Sequence, residues 1–272
     1  MNILDETFTL NTGAPIPKVG FGTWQIPNGD EAYNSTALAL KNGYRHIDTA
    51  LVYGNEASVG QAIRDSGIAR DELFVTTKLP AEIKSADEVF AAFETSMERL
   101  GLEYVDLYLI HAPWPWAERG ADYRKENGEV WAQMEAIYNT GRAKAIGVSN
   151  FVVSDLEALF ETAEVIPAVN QIRYFIGNTQ EDTVALSKEK GILVQAYSPL
   201  ATGALLDNPQ ITAIAEKYGK SVSQISLRFV LQNGLLPLPK STNEGRIKQN
   251  ADLDFEISAD DMDYLNSLKL SI

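Results

Sequence analysis

No cysteine occurs in the 272 residues, which excludes disulfides, thiolate metal sites and cysteine nucleophiles together. Histidine is nearly as scarce, and the two present, His46 and His111, have no thiol to join them in a structural zinc site. Basic residues are outnumbered: 23 Lys and Arg against 37 Asp and Glu leave a formal charge of −14. That charge repels a phosphate backbone and an anionic lipid surface alike, so neither nucleic acid nor membrane is an expected partner. No apolar run approaches the ~18 residues of a membrane span. The acidic start MNILDETFTLNTGAP lacks the basic and apolar regions of a secretory signal, and a cytoplasmic location is expected. Linkers, low-complexity stretches and long apolar edges that would speak for assembly are missing too, so a monomer of one domain over residues 1–272 is the simplest expectation.

What is present is an ordinary globular composition, 45% hydrophobic and 22% charged. Short β-rich runs alternate with longer amphipathic ones. Strands are expected at 19–24, 44–50, 73–79, 105–111, 143–150, 168–172, 192–198 and 235–240. Helices are expected at 30–42, 56–66, 85–100, 128–140, 153–163, 179–190, 221–232 and 243–250. Repeated βα units of this number close into an α/β (β/α)8 TIM barrel. The runner-up, a doubly wound sheet, would show a Gly-x-Gly-x-x-Gly turn after its first strand, and none occurs. The segment ETFTLNTGAPIPKV alternates around a Thr-Gly turn and is expected to form an N-terminal β-hairpin that plugs the barrel. SADDMDYLNSLK at 258–269 has a Ser cap and an acidic first turn, as an extra C-terminal helix should.

Barrel chemistry sits where strands end and βα loops begin. Asp48, Lys78 and His111 close three consecutive strand candidates, and neighbouring strands lie ~4.8 Å apart, so these side chains can converge. Tyr53 stands in the loop just beyond Asp48. An ammonium about 4 Å from a phenol favours the phenolate by roughly 4 kcal/mol at an effective dielectric near 20, about three pKa units before desolvation opposes it. On that reasoning Lys78 is expected to make Tyr53 a better acid, Asp48 to hold Lys78 charged, and His111 to hydrogen-bond the substrate oxygen. Such a group suits a reaction that creates alkoxide character. Near the C-terminus, KSTNEGRIKQN gathers Lys240, Arg246 and Lys248 in an otherwise acidic chain, where barrels often bind phosphate.

The segments DTALVYGNE (48–56), TTKL (76–79), LIHAP (109–113), IGVSNF (146–151) and LPKSTNEGR (238–246) resemble the aldo-keto reductases, most of all the bacterial branch that reduces aldehydes and small diketones. The likeness spans nearly the whole chain. It implies a catalytic tetrad of Asp48, Tyr53, Lys78 and His111, with hydride passing from NADPH/NADP+ and Tyr53 giving the proton. It further implies that Ser149, Asn150 and Gln171 hold the nicotinamide carboxamide and that Tyr197 stacks on its ring. Thr23, Trp24, Ser198 and Leu200 would lie along the cofactor, with Lys240, Ser241, Thr242 and Arg246 at the 2′-phosphate and Asn250 near the adenine. The implied partner is a small-molecule carbonyl substrate, touched by Trp24, Tyr53, His111 and Trp114, with Trp116 beside them.

Departures from the family pattern fall around the pocket. Ala112 stands where many relatives have Trp after the histidine, Arg173, Tyr174, Phe175 and Ile176 replace a run that often contains His and Pro, and Gln249 replaces an acidic residue. The early stop at Ile272 predicts an open pocket. Taken singly, a buried Asp beside Lys also suits a structural ion pair, and His46 is read as structural. Two other functional classes stay open: a non-catalytic NADPH-binding sensor, and an aldolase using Lys78 as a Schiff-base lysine.

Overall fold

The computed structural model describes residues 2–270. The chain end at Ile272, on which the expectation of an open pocket rests, lies outside them. The hairpin appears where the alternation placed it, β1 (Thr7–Thr9) antiparallel to β2 (Pro15–Pro17). Eight parallel strands follow in sequence order: β3 (Phe21–Gly22), β4 (His46–Asp48), β5 (Phe74–Leu79), β6 (Leu107–Ile110), β7 (Ile146–Ser149), β8 (Val169–Arg173), β9 (Leu193–Tyr197) and β10 (Leu236–Leu238). The first and last strands meet: Gly20 N–H donates to Pro237 O at 3.1 Å and Gly22 N–H to Pro239 O at 2.9 Å. Those bonds bring the sheet round into a barrel and leave it no free edge.

Helices α1 (Asp30–Lys41), α2 (Glu56–Asp65), α3 (Ala86–Leu100), α4 (Arg124–Asn139), α5 (Val153–Phe160) and α6 (Glu181–Glu189) cover the outside. They are followed by α7 (Pro209–Tyr218), α8 (Val222–Gln232), α9 (Glu244–Ala251) and α10 (Ala259–Ser267). Strand periodicity sorts the core into two layers. Leu107 and Leu109 join Val169, Leu236, Leu238 and the hairpin's Leu10 and Ile16 in a cluster inside the barrel, which is how the hairpin plugs it. Tyr108, between them, points the other way and packs edge-on against Phe93 of α3, ring centres 5.0 Å apart. Gly147 of β7 has no room for a side chain, because a Cβ there would meet Val169 O at 2.6 Å and Leu109 at 2.8 Å.

Two expectations need correction. Helix α7 was not foreseen. Asn208 caps it, accepting from Gln210 N at 2.9 Å and Ile211 N at 3.1 Å, with Pro209 in the first turn, and Ile211, Ile214 and Ala215 bury its inner face. Helix α4 opens at Arg124 rather than 128, because the polar run RKENG looks like a loop until Asn127 turns inward and donates to Pro113 O at 2.8 Å.

Candidate active site

The strand ends deliver their polar residues to one place. Asp48 is the last residue of β4, Lys78 lies one short of the end of β5, and His111 directly follows β6; all three are buried. Tyr53 closes a short turn, Leu51–Tyr53, that begins three residues after β4 ends, and Gly54 behind it adopts φ 70°, a left-handed conformation that glycine takes without steric cost. Lys78 Nζ donates to Asp48 Oδ1 at 2.6 Å, to Thr49 O at 2.8 Å and to Tyr53 Oη at 3.3 Å. An ammonium has three protons and each finds an acceptor, so the amine is held charged although burial pulls its pKa below the ordinary lysine value. Since Tyr53 Oη accepts from Lys78, the phenol's own proton is free for another partner.

The direction of the Tyr53 shift is opposite to the sequence expectation. Burial, followed by the charges of Asp48 and Tyr197, holds this phenol well above its usual range. The expectation weighed the Lys78 ammonium alone, whereas burial is the larger influence and Asp48, 2.6 Å from the ammonium, opposes its field at the phenol. Tyr53 is thus a proton-bearing phenol at neutral pH. His111 stacks edge-on to it at 5.6 Å between ring centres, and burial together with Lys78 keeps its imidazole neutral, well below the ordinary value. A neutral imidazole can donate one hydrogen bond without adding charge.

A second layer lies deeper in the barrel. Gln171 of β8 reaches across and donates from Nε2 to Asp48 Oδ2 at 2.8 Å and to Gln195 Oε1 at 2.9 Å. Both amide hydrogens are consumed, which leaves Gln171 Oε1, with no donor among the described residues, as its free acceptor. Asn150 donates to His111 O at 3.0 Å and to Ser149 Oγ at 3.1 Å, and its Oδ1 accepts from Tyr197 Oη at 2.7 Å. Ser149 Oγ itself donates to Gln171 O at 2.8 Å. Asn150 and Ser198 hold φ at 62° and 48°, the kind of strained backbone that turns a chain sharply at a strand end. Sequence reasoning missed Gln195, whose only signal was an amide in the apolar run ILVQAY. It also missed Asn55, fully buried, which binds Thr23 O and Ile26 O at 2.9 Å each and accepts from Thr49 Oγ1 at 2.9 Å. Asn55 thereby staples the loop after β3 to the loop that carries Tyr53. Lys84 was missed as well; its Nζ donates to Ala112 O at 2.8 Å and to Asn127 Oδ1 at 2.9 Å, bracing the loop after His111.

Trp24 is exposed, Trp114 and Trp116 are half-buried, and Trp116 stands 5.4 Å from the His111 ring. Thr23 is buried and spends its hydroxyl on Asp48 O at 3.0 Å. The residues after β10 form a separate group. Asn243 caps α9 by accepting from Arg246 N at 3.0 Å and donates its own N–H to Ser241 Oγ at 3.1 Å. Lys240, Thr242 and Arg246 are exposed, while Ser241 and Asn250 are buried. Lys248 does not join this cluster as a free cation, because it pairs with Glu244 one turn away at 2.9 Å. Lys240 and Arg246 make no ion pair among the described residues, so an anion can use them at the helix N-terminus. Among the described residues no cluster of His, Asp or Glu is arranged to hold a metal.

A sequence model of the aldo/keto reductase family matches residues 18–269. A glyoxal reductase of Bacillus subtilis is 47% identical over 266 residues, covering 97% of this chain and 93% of its own. A crystal structure of an aldo/keto reductase from Brucella melitensis superposes with a TM-score of 0.89 at 44% identity, covering 96% of this chain and 98% of that one. An aldo-keto reductase of Bombyx mori, solved in complex with NADP, superposes with a TM-score of 0.86 at 40% identity over 96% of this chain and 92% of its own.

Proposed function

The chain belongs to the aldo/keto reductase family, and from that premise we propose that it reduces aldehydes, α-ketoaldehydes or diketones to alcohols with Tyr53 as the proton donor. It is an NADP-dependent oxidoreductase. When bound, NADPH supplies the hydride equivalent that reaches the carbonyl carbon. The residues present fit it: Gln171 offers a free amide oxygen for the carboxamide, and Asn150 and Ser149 stand beside it, their own hydrogen bonds to His111 O, Tyr197 and Gln171 O fixing that end of the site. Tyr197 offers a half-exposed ring for stacking, and Lys240 and Arg246 offer unpaired cations for the 2′-phosphate, with Ser241, Thr242 and Asn250 beside them.

The chain's own part is to manage one proton. Tyr53 Oη and the neutral His111 imidazole hold the carbonyl oxygen by hydrogen bonds. As the carbon gains the hydride, the C=O π electrons move to oxygen, and that oxygen takes the Tyr53 proton. An alkoxide is far more basic than a phenolate, so a phenol of raised pKa still yields its proton, and retains it until then. The phenolate left behind sits beside the Lys78 ammonium at 3.3 Å, and Asp48 keeps that ammonium in place at 2.6 Å. One observation carries the reading: the Lys78 ammonium spends all three protons on Asp48, Thr49 O and Tyr53. The same fact disfavours a Schiff-base lysine, because such an ammonium has no lone pair to offer a carbonyl carbon.

NADPH consumption with methylglyoxal and with an aromatic aldehyde tests it. Tyr53→Phe is expected to lower kcat by about 10²–10⁴-fold, the usual worth of a positioned general acid, with NADPH affinity retained. Equal rates in the two proteins would remove Tyr53 from the chemistry.

A further inference from the structure

The mouth of the barrel carries a cation that this chemistry does not use. Arg119 follows the turn Trp116–Glu118 in the loop after β6, and its guanidinium carbon stands 5.4 Å from the ring centres of both Trp114 and Trp116. The Trp116 ring stands 5.4 Å from the His111 ring, so a single indole separates the guanidinium from the imidazole. The acids of the same loop are engaged elsewhere. Glu118 accepts from the Tyr123 hydroxyl at 2.8 Å, and Asp122 is paired with Arg124 at 2.6 Å. Among the described residues Arg119 makes no ion pair. Its field is felt at the site: burial raises the Tyr197 phenol, and Arg173 and Arg119 oppose that rise. What sets Arg119 apart from the other arginines without an ion pair among the described residues is that its guanidinium rests on two indoles, one of them packed against the His111 ring.

We propose that Arg119 is the anion-binding end of the substrate pocket, and that the preferred substrates are carbonyl compounds with a carboxylate remote from the reacting group. The proposal rests on the reductase reading and adds the substrate class to it. The planar guanidinium matches a carboxylate through two parallel N–H bonds and stays charged throughout the accessible pH range. Trp114 and Trp116 present apolar surface to the body of the substrate between its two ends, while stacking restricts the arginine and lowers the entropy lost on binding. Because the guanidinium is exposed, its attraction is screened by salt.

The test compares 4-carboxybenzaldehyde with its uncharged ester, methyl 4-formylbenzoate, in wild type and in Arg119→Met, which keeps apolar bulk over the indoles. The ratio of kcat/KM for acid over ester is expected to be about five- to tenfold larger in wild type than in Arg119→Met, as suits a partly screened bidentate ion pair. The difference should appear in KM and shrink at high salt. Dividing one protein's ratio by the other's cancels the intrinsic reactivities of the two aldehydes. Equal ratios in the two proteins, with both aldehydes reduced, overturn the Arg119 subsite and leave the reductase intact. No reduction of either aldehyde by a wild type that reduces methylglyoxal overturns the subsite alone; methylglyoxal left unreduced as well overturns the reductase reading, and the subsite falls with it.

Discussion

At the scale of single residues, burial decides which protonation states this barrel tolerates. His46, one strand position below Asp48 on the same inward face, is fully buried, with Nε2 on Thr76 Oγ1 at 3.1 Å and Nδ1 unpartnered. Burial, and then the Lys78 ammonium, push its imidazole down from 6.5 to about 3. The unfolded chain takes up that proton near 6.5 whereas the native chain refuses it until about 3. The resulting stability is therefore complete above the unfolded value and is lost as pH falls through this window, on the order of 5 kcal/mol in all. Urea midpoints measured between neutral pH and the acid end of that window should fall more steeply for wild type than for His46→Gln; parallel slopes would acquit the imidazole. The reading of His46 as structural needed only its place two residues before Asp48. The direction of the Tyr53 shift was not legible, because it depends on how close Asp48 comes to Lys78 and on depth in the barrel, and neither distance is written in the chain.

At the scale of elements, strands were easier to read than the connections between them. Each of the eight strands overlaps its expected span, because parallel strands covered on both faces carry apolar runs that stand out. Helix α7 escaped notice although Asn208-Pro209 is a sound helix start, since the preceding loop SPLATGALLD already accounted for the break after β9. Helix α9 is where an element was read for its charge as well as its shape, and Lys248 drops out of that reading because i,i+4 geometry hands it to Glu244. If Arg246 holds the 2′-phosphate, Arg246→Met should weaken NADPH binding by about 10–100-fold, the worth of a charge-assisted contact, and leave NADH binding nearly as it was. Quenching of protein fluorescence on titration with each nucleotide measures this, and an equal loss for both would place Arg246 elsewhere.

For the whole molecule the governing fact is closure. The bonds from Gly20 and Gly22 to the far side of β10 leave a filled cylinder, with Leu10 and Ile16 of the hairpin inside one end and the Asp48–Gln171–Gln195 network inside the other. Closure lets Asp48 of β4 and Gln171 of β8, far apart in the sheet order, share a hydrogen bond of 2.8 Å. It also leaves no slack. Gly147→Ala forces a Cβ to within 2.6 Å of Val169 O, a backbone atom held in the ladder, and is expected to destabilise the fold by about 1–3 kcal/mol. A thermal melt should show Tm lowered by several degrees, at roughly 2–4 °C per kcal/mol for a chain of this size. An unaltered Tm would mean that the wall can move.

The alternation of apolar runs, the strand-end positions of Asp48, Lys78 and His111, and the spacing to Tyr53 were determined by the sequence alone, because periodicity and order along the chain are local properties. Only the tertiary structure decided which partners those groups meet: Gln195 and Gln171 beneath Asp48, Asn55 between two loops, Lys84 under the loop after His111, and Arg119 on its two indoles. Such pairings join positions distant in sequence through hydrogen bonds and burial, and burial sets the sign of each titration. It is acquired only when the sheet closes.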